Sequence, residues 1–254
     1  MAAFASHPWH RVRGVQTIVA VVTSFVLSWF LSQRIFPVIR QALHQIPPGT
    51  ALEAGHLVWK GESPAILAEN PWFAIVVDLE HSGSLGQVAD LQFEAGLTGE
   101  RVRSLLGYLF IPHPSNGSHD LGAVALSSWW GAREPMVLVA FFFGSGMVLM
   151  LNWHLIALFY AAPVRFIAFL GDRQADWVSA RKLAGASLMP GALFLSTAIV
   201  FYGVRMIPLV GLVSAFILHF FVGWLFLLSA PFHLRPITGL KQKGNPFKGS
   251  GRKD

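Results

Sequence analysis

Apolar positions along this chain gather into four long runs, separated by stretches where apolar and polar residues alternate or show no period. The first, 15–31 (VQTIVAVVTSFVLSWFL), holds no charged side chain and follows Arg11 and Arg13. The second, 136–162, comes directly after Pro135, which suits a helix start because its missing N–H would be unpaired there. The third, 186–204, carries Pro190 in its first turns, where proline disturbs a helix least. The fourth, 209–230, stops at Pro231. Only Arg205, Met206, Ile207 and Pro208 join the last two runs, a connection short enough to require an antiparallel hairpin. Runs of roughly 20 apolar residues match a hydrocarbon core of about 30 Å. The pattern therefore predicts transmembrane helices at 15–33, 135–162, 186–204 and 209–230. The first is expected to be retained as an anchor, since bulky Arg34, Ile35 and Phe36 follow it where a cleavage site would have small residues.

Between 40 and 130 the periodicity changes. GTALEAGHLVW reads as a hairpin, with strands around Leu52 and Val58 meeting at Ala54 and Gly55. WFAIVVDLE is the strongest strand, rich in β-branched and aromatic residues and bounded by Pro71 and Gly83. ADLQFEAG alternates Leu91 and Phe93 with Asp90, Gln92 and Glu94, the pattern of a half-buried strand. RVRSLLGYLFIP fits a strand or a short helix, and HPSNGSHD is a turn-rich loop. Trp129 and Trp130 follow, placed as an interfacial aromatic belt would be. The expected fold class is an α-helical integral membrane protein: four transmembrane helices with a small β-rich (α+β) extracytoplasmic domain at 40–130.

Composition strengthens the membrane reading. Of 254 residues, 54% are hydrophobic and 13% charged, against roughly a quarter charged in soluble domains. The chain has no cysteine, which excludes disulfides, thiolate metal sites and thiol catalysis. Lys and Arg fix an orientation. Segments 1–14, 163–185 and 231–254 together hold 12 basic and three acidic residues, whereas 32–135 holds six basic and ten acidic. The cytoplasmic side thus receives the N-terminus (1–14), the loop 163–185 and the basic tail 231–254. Each basic residue of that tail adds about 1 kcal/mol of attraction to an anionic leaflet. The tail contains no nucleic-acid-binding module, so the bilayer is the expected partner and nucleic acid is not. In the inner loop, Phe166, Ile167, Phe169 and Leu170 precede a charged stretch. Asp172 is expected to cap a short amphipathic helix bearing Trp177, Arg181 and Lys182 on the inner leaflet, with a partner-binding helix as the rival reading.

Candidate chemistry falls in two places. In the extracytoplasmic segment, Asp78 and Glu80 stand two apart, so a strand would put both on one face. Paired carboxylates perform acid–base catalysis when their environments separate their pKa values. Hydrogen bonding at the strand end and contact with a ligand are the other readings. His81 lies in the following turn, and His113, His119 and Asp120 flank the 113–120 loop. Histidine and aspartate ligate zinc, yet no short histidine pair on a helical face occurs, and neither metal nor cofactor is expected. Asn116, Gly117 and Ser118 form a glycosylation sequon, a three-residue match of low specificity. Within the apolar runs, Ser145 lies ten residues in from Pro135 and His219 ten in from Leu209, with Thr197 and Ser24 at similar depth. These four define a polar layer near the midplane. Serine and histidine at one depth suggest an intramembrane hydrolase, but Phe143 stands where a rhomboid-type motif needs glycine. Close helix approach at Gly144 and Gly146, with Ser, Thr and His bonding across helices, is the simpler reading.

IPPGTALEAGHLVWKG, then WFAIVVDLEHSG, then WVSARKLAGASLMPGALFLSTAIV resemble successive segments of an uncharacterised bacterial membrane family distantly related to the Yip1 group. The resemblance implies a basic N-terminus, one span, an extracytoplasmic β-rich insert and a helical bundle. It brings no catalytic residue and no activity. The expected location is a bacterial inner (plasma) membrane, multi-pass and N-in/C-in, with residues 34–134 extracytoplasmic. The expected role is non-enzymatic: the extracytoplasmic domain binds, senses or docks onto a membrane protein partner. The competing class is an oligomeric transporter or lipid-handling protein that self-associates around the midplane layer, and an intramembrane serine hydrolase is the third.

Overall fold

The computed structural model describes residues 8–115 and 117–237. Asn116 of the sequon, residues 1–7 and the basic tail from 238 lie outside the described residues. Four helices are long and apolar enough to cross a membrane by length and composition. The chain forms two compact units, one of Met1–Thr23, Gly146–Thr197 and Val213–Asp254, the other of Ser24–Ser145 and Ala198–Leu212.

Helix boundaries differ from the sequence reading in instructive ways. α1 (Trp9–Phe30) passes through a single π turn, Leu31–Ile35, into α2 (Phe36–His44). Pro37 explains the wide turn: proline lacks an N–H and its ring crowds the carbonyl four residues back, so the helix widens there and continues. After the β-strands, α3 (Ala123–Leu170) runs unbroken for 48 residues. Pro135 lies inside it instead of at its start. α4 (Trp177–Gly203) begins nine residues before the expected 186, which leaves Pro190 in mid-helix. The expected inner loop at 163–185 therefore consists mostly of the ends of α3 and α4, and the separate amphipathic helix does not form. Asp176, not Asp172, provides the cap: its carboxylate accepts the Ser179 N–H at 2.9 Å. Asp172 instead occupies the connecting turn with φ 54°. α5 (Leu209–Ser229) completes the set.

In the unit containing the C-terminal halves of α3 and α5, the core is built from small residues. Ala157, Ala161, Val164 and Ala168 of α3 recur at helical spacing and meet Ala180, Leu183 and Ala184 of α4, with Leu227 of α5. A second cluster joins Val12, Val19 and Ala20 of α1 to Trp153, Ala186 and Met189. Two polar links cross between helices: Gln16 Nε2 donates to the Gly185 carbonyl (3.2 Å), and Ser196 Oγ donates to Thr23 Oγ1 (3.0 Å). Gly191 makes the closest approach, since a Cβ there would meet the His219 backbone at 2.6 Å. At Gly144, where the sequence suggested close packing, a Cβ would meet nothing within 4 Å.

The other unit carries the β-strands. β1 (Ala51–Glu53) and β2 (His56–Val58) form the expected hairpin, turning at Ala54 (φ 47°) and Gly55 (φ 83°). β8 (Ser118–Asp120) completes that three-stranded sheet in the order β2-β1-β8. The larger sheet follows the order β3-β4-β5-β6-β7, made of Ala65–Glu69, Phe73–Val77, Leu91–Ala95, Gly99–Ser104 and Gly107–Pro112. The stretch read as strand or helix at 101–112 is a β6–β7 hairpin. All neighbours pair antiparallel except β4 and β5, which are parallel. Their crossover, residues 78–90, must return over one face of the sheet. The opposite face packs on α2, with Val38 and Ala42 against Leu67, Ala68, Phe73 and Val77.

Candidate functional site: a buried polar face on the five-stranded sheet

Pairing register places Gln92 and Glu94 of β5 beside Arg103 and Arg101 of β6, all on the face away from α2. This reverses the sequence expectation for β5. Gln92 and Glu94 are its buried residues, while Leu91 and Phe93 are half-buried. The reason is position: β5 is the central strand and both of its faces are covered, so alternation no longer separates core from solvent. Glu94 is fully buried, at 0% exposure. Its Oε1 accepts a hydrogen bond from His81 Nδ1 at 2.5 Å and lies 3.6 Å from Arg101 Nη1, and Gln92 Nε2 donates to Oε2 at 3.3 Å.

The 78–90 crossover brings His81 to the sheet. Asp78, directly after β4, is buried and organises the turn: its Oδ2 accepts Ser82 Oγ (2.7 Å) and the Gly83 N–H (2.9 Å). Burial pushes the Asp78 carboxyl up, but these bonds and the Glu80 and Ser82 N–H groups outweigh it and hold the group below its ordinary 3.8. The turn puts His81 in the left-handed backbone region (φ 55°), an uncommon conformation for a residue with a side chain. Arg101 and Arg103 then tie the loop down through the His81 carbonyl (3.2 Å) and the Gly83 carbonyl (3.4 Å). Gly96 leaves the space that the imidazole fills, because a Cβ on Gly96 would collide with the His81 ring.

A carboxylate-held imidazole has the orientation of a general base. Here its second nitrogen is closed off from solvent. His81 Nε2 is buried, and among the described residues it has no hydrogen-bond partner. The nearby hydroxyl of Ser82 is committed to Asp78. The arrangement fits a charge cluster that fixes the crossover onto the sheet.

The remaining sequence candidates do not join this cluster. β4 ends at Val77 and the chain turns, so Asp78 is buried while Glu80 is exposed; the two carboxylates do not share a strand face. His113 follows β7 and acts on Glu100, whose carboxyl burial lifts above its ordinary range against the pull of that histidine. His119 is exposed on β8. Asp120 receives the Gly122 N–H at 2.8 Å on the approach to α3. Among the described residues, no three His, Asp or Glu side chains are grouped as a metal site. Of the midplane residues, Ser145 Oγ donates to the Phe142 carbonyl (3.0 Å) and Thr197 Oγ1 to the Leu193 carbonyl (2.9 Å), each within its own helix. His219 Nδ1 likewise donates to the Phe216 carbonyl, and Ser24 is buried.

A second polar constellation lies in the same unit as the sheet. Asn70 Oδ1 accepts the Trp72 and Phe73 N–H groups, forming the turn into β4, and Asn70 Nδ2 donates to the Arg34 carbonyl at 2.6 Å. Trp72 Nε1 donates to the Tyr202 carbonyl (3.1 Å), and Tyr202 Oη donates to Asp90 (2.6 Å). Arg34 stacks over the Trp72 ring, 4.6 Å from its centre. These bonds join the starts of β4 and β5 to the π turn and to the C-terminal end of α4. Glu94, Gln92, Arg101, Arg103 and Gly96 escaped the sequence reading. Their one signal was polar alternation in LQFEA followed, across a short turn, by basic alternation in ERVRS. Comparison of the chain with protein-family models, with curated proteins and with solved structures finds no match.

Proposed function

We propose that the chain is a multi-pass protein of a bacterial inner membrane, N-in and C-in, whose extracytoplasmic β domain docks a membrane protein partner by strand addition along β7. The supporting observation is the state of that edge. β7 is exposed along its whole length and bears no charge and no bulge, its one proline, Pro112, standing at its last position; Tyr108 is 69% and Leu109 62% exposed. Edge strands are ordinarily blunted by charge, proline or bulges. β3, the other edge of the sheet, follows that rule with a bulge between Ile66 and Ala68 and with Glu69 at its end. β7 leaves its outer row of N–H and C=O groups beside an apolar surface, which suits an extended, uncharged partner strand. The role is read as non-enzymatic, an accessory or scaffold one. Purification from native membranes in gentle detergent, followed by mass spectrometry, tests it. A stoichiometric partner is expected with the wild type and is expected to be lost from a monodisperse L109K/I111K variant. Retention of that partner by the variant, or a wild type that purifies alone, would sink the docking reading. A tag at Gly117 reached only from the cytoplasm would overturn the orientation.

A second reading rests on a cavity of about 260 Å³ lined by Thr23, Asn152, Phe216, His219 and Trp224. It suits a lipid-handling or transport role, and an H219L variant with unchanged phenotype would remove its centre.

A further inference from the structure

Arg13, Arg165, Arg181 and Lys182 surround two tryptophans in the unit of Met1–Thr23, Gly146–Thr197 and Val213–Asp254. Three of these cations converge on Trp9. Arg13 and Arg181 each lie 5.5 Å from its ring centre, and Lys182 lies at 5.7 Å. Arg165 stacks at 4.5 Å over Trp177. Cation–π contact favours one cation over a ring face. It does not neutralise charge, so three cations on one ring repel one another. Among the described residues, none of Arg13, Arg165 and Arg181 forms a salt bridge with a carboxylate. Lys182 is the exception to this openness, since its charge acts on Asp176. Between the tryptophans lies a cavity of about 370 Å³, with Arg13 and Arg181 among its walls and Leu158, Ala161 and Val178 providing apolar surface.

We infer that this cavity binds a phosphate-bearing anion, supplied as the headgroup of an anionic phospholipid of the inner leaflet. Phosphate is the ligand that planar guanidinium groups recognise with several donors at once. The apolar part of the cavity and the exposed Phe166, Phe169 and Leu170 beside Arg165 select the lipid source over a free ion, because they offer acyl chains a surface. Basic pockets between helices on the cytoplasmic side take phospholipid headgroups by the same physics. The inference rests on the membrane reading proposed above, with the α3–α4 turn on the inner side.

Native mass spectrometry of the full chain, released from nanodiscs of phosphatidylglycerol or of phosphatidylcholine, tests it. The wild type is expected to retain phosphatidylglycerol and not phosphatidylcholine. R13Q/R181Q is expected to bind phosphatidylglycerol about 30-fold more weakly, on the order of fivefold per charge. R133Q, a single charge loss beside Trp129 on α3, should leave binding unchanged. If the double variant does not fold, R13Q alone serves with an expected loss of about fivefold. Equal binding by wild type and R13Q/R181Q overturns the site. Displacement of the lipid by millimolar inorganic phosphate overturns the lipid source, leaving a free-anion site. Carbonate washing of native membranes is read separately: release of the chain would defeat the membrane reading, whereas retention with no lipid preference would defeat this inference alone.

Discussion

The arginines of the β-sheet and those around Trp9 and Trp177 are held on opposite plans. Arg101 faces a fully buried carboxylate that also receives His81, and Arg103 reaches a backbone carbonyl of the loop it fastens. Arg101 and His81 there share a counter-charge inside the fold, and Arg103 has a backbone acceptor. Around Trp9, three cations face one ring, and among the described residues Arg13 and Arg181 meet no carboxylate. Burying an ion costs several kcal/mol unless a partner offsets it, so the first group is tolerated only as a closed set. In the second group Arg13 is exposed and Arg181 half-buried, and these two arginines are left with charge to spare. Charge neutralised internally specifies a conformation, and charge left over specifies a ligand.

Removing Glu94 should give the largest effect of any single substitution in the sheet. Glu94→Ala leaves Arg101 and His81 without their shared counter-ion at a buried position, a loss of roughly 3–5 kcal/mol. Thermal unfolding of the full chain in detergent, with limited proteolysis across 78–90, would measure it. A loss below about 1 kcal/mol would mean that water already enters the cluster and that the contrast with the Trp9 group is false. Gly96→Ala comes next. The His81 ring would have to give way, yet Glu94 holds its Nδ1, so overpacking should cost about 1–3 kcal/mol. The same substitution in an E94Q background should cost less, because the ring is then held less firmly.

Asp78 sharpens the comparison through pH. Its folded-state carboxyl lies below the ordinary 3.8, so ionised Asp78 stabilises the fold above that value. The contribution is lost as pH falls through the folded pKa. Asp78→Asn should therefore cost about 1 kcal/mol at neutral pH, and its difference from wild type should vanish on acidification below 3.8. Unfolding midpoints measured from pH 7 downwards check this, and a difference that persisted in acid would assign the loss to packing.

Much of this architecture was legible in the chain. Apolar runs found all four long helices, and Ala54 with Gly55 found the β1–β2 turn. Helix ends were misread where proline served as punctuation: Pro135 and Pro190 lie inside helices, because an upstream start, capped at Asp176 in the case of α4, was already in place. The polar face of β5 was misread for a different reason. Alternation shows that a strand has two unlike faces, but it does not show which face another segment will cover. That decision belongs to the parallel β4–β5 pairing and its crossover, a long-range choice with no local signature. His81 was marked as a candidate from its turn, while its partner Glu94 looked like solvent-facing alternation.

The smallest effect is expected at the other arginine group, and it is the one that discriminates best. Arg181→Gln removes one of three mutually repelling cations from a half-buried position with no carboxylate partner among the described residues. In zwitterionic detergent its unfolding midpoint should match the wild type or rise slightly, within about 0.5 kcal/mol. Added phosphatidylglycerol should then reverse the order, since a ligand stabilises only the form that binds it. The wild type should gain stability with lipid concentration, and the variant should gain less. If R181Q destabilised the chain in zwitterionic detergent as strongly as E94A, the cation would have an internal partner after all. Both groups would then be structural, and the proposed division between conformation and ligand would fail.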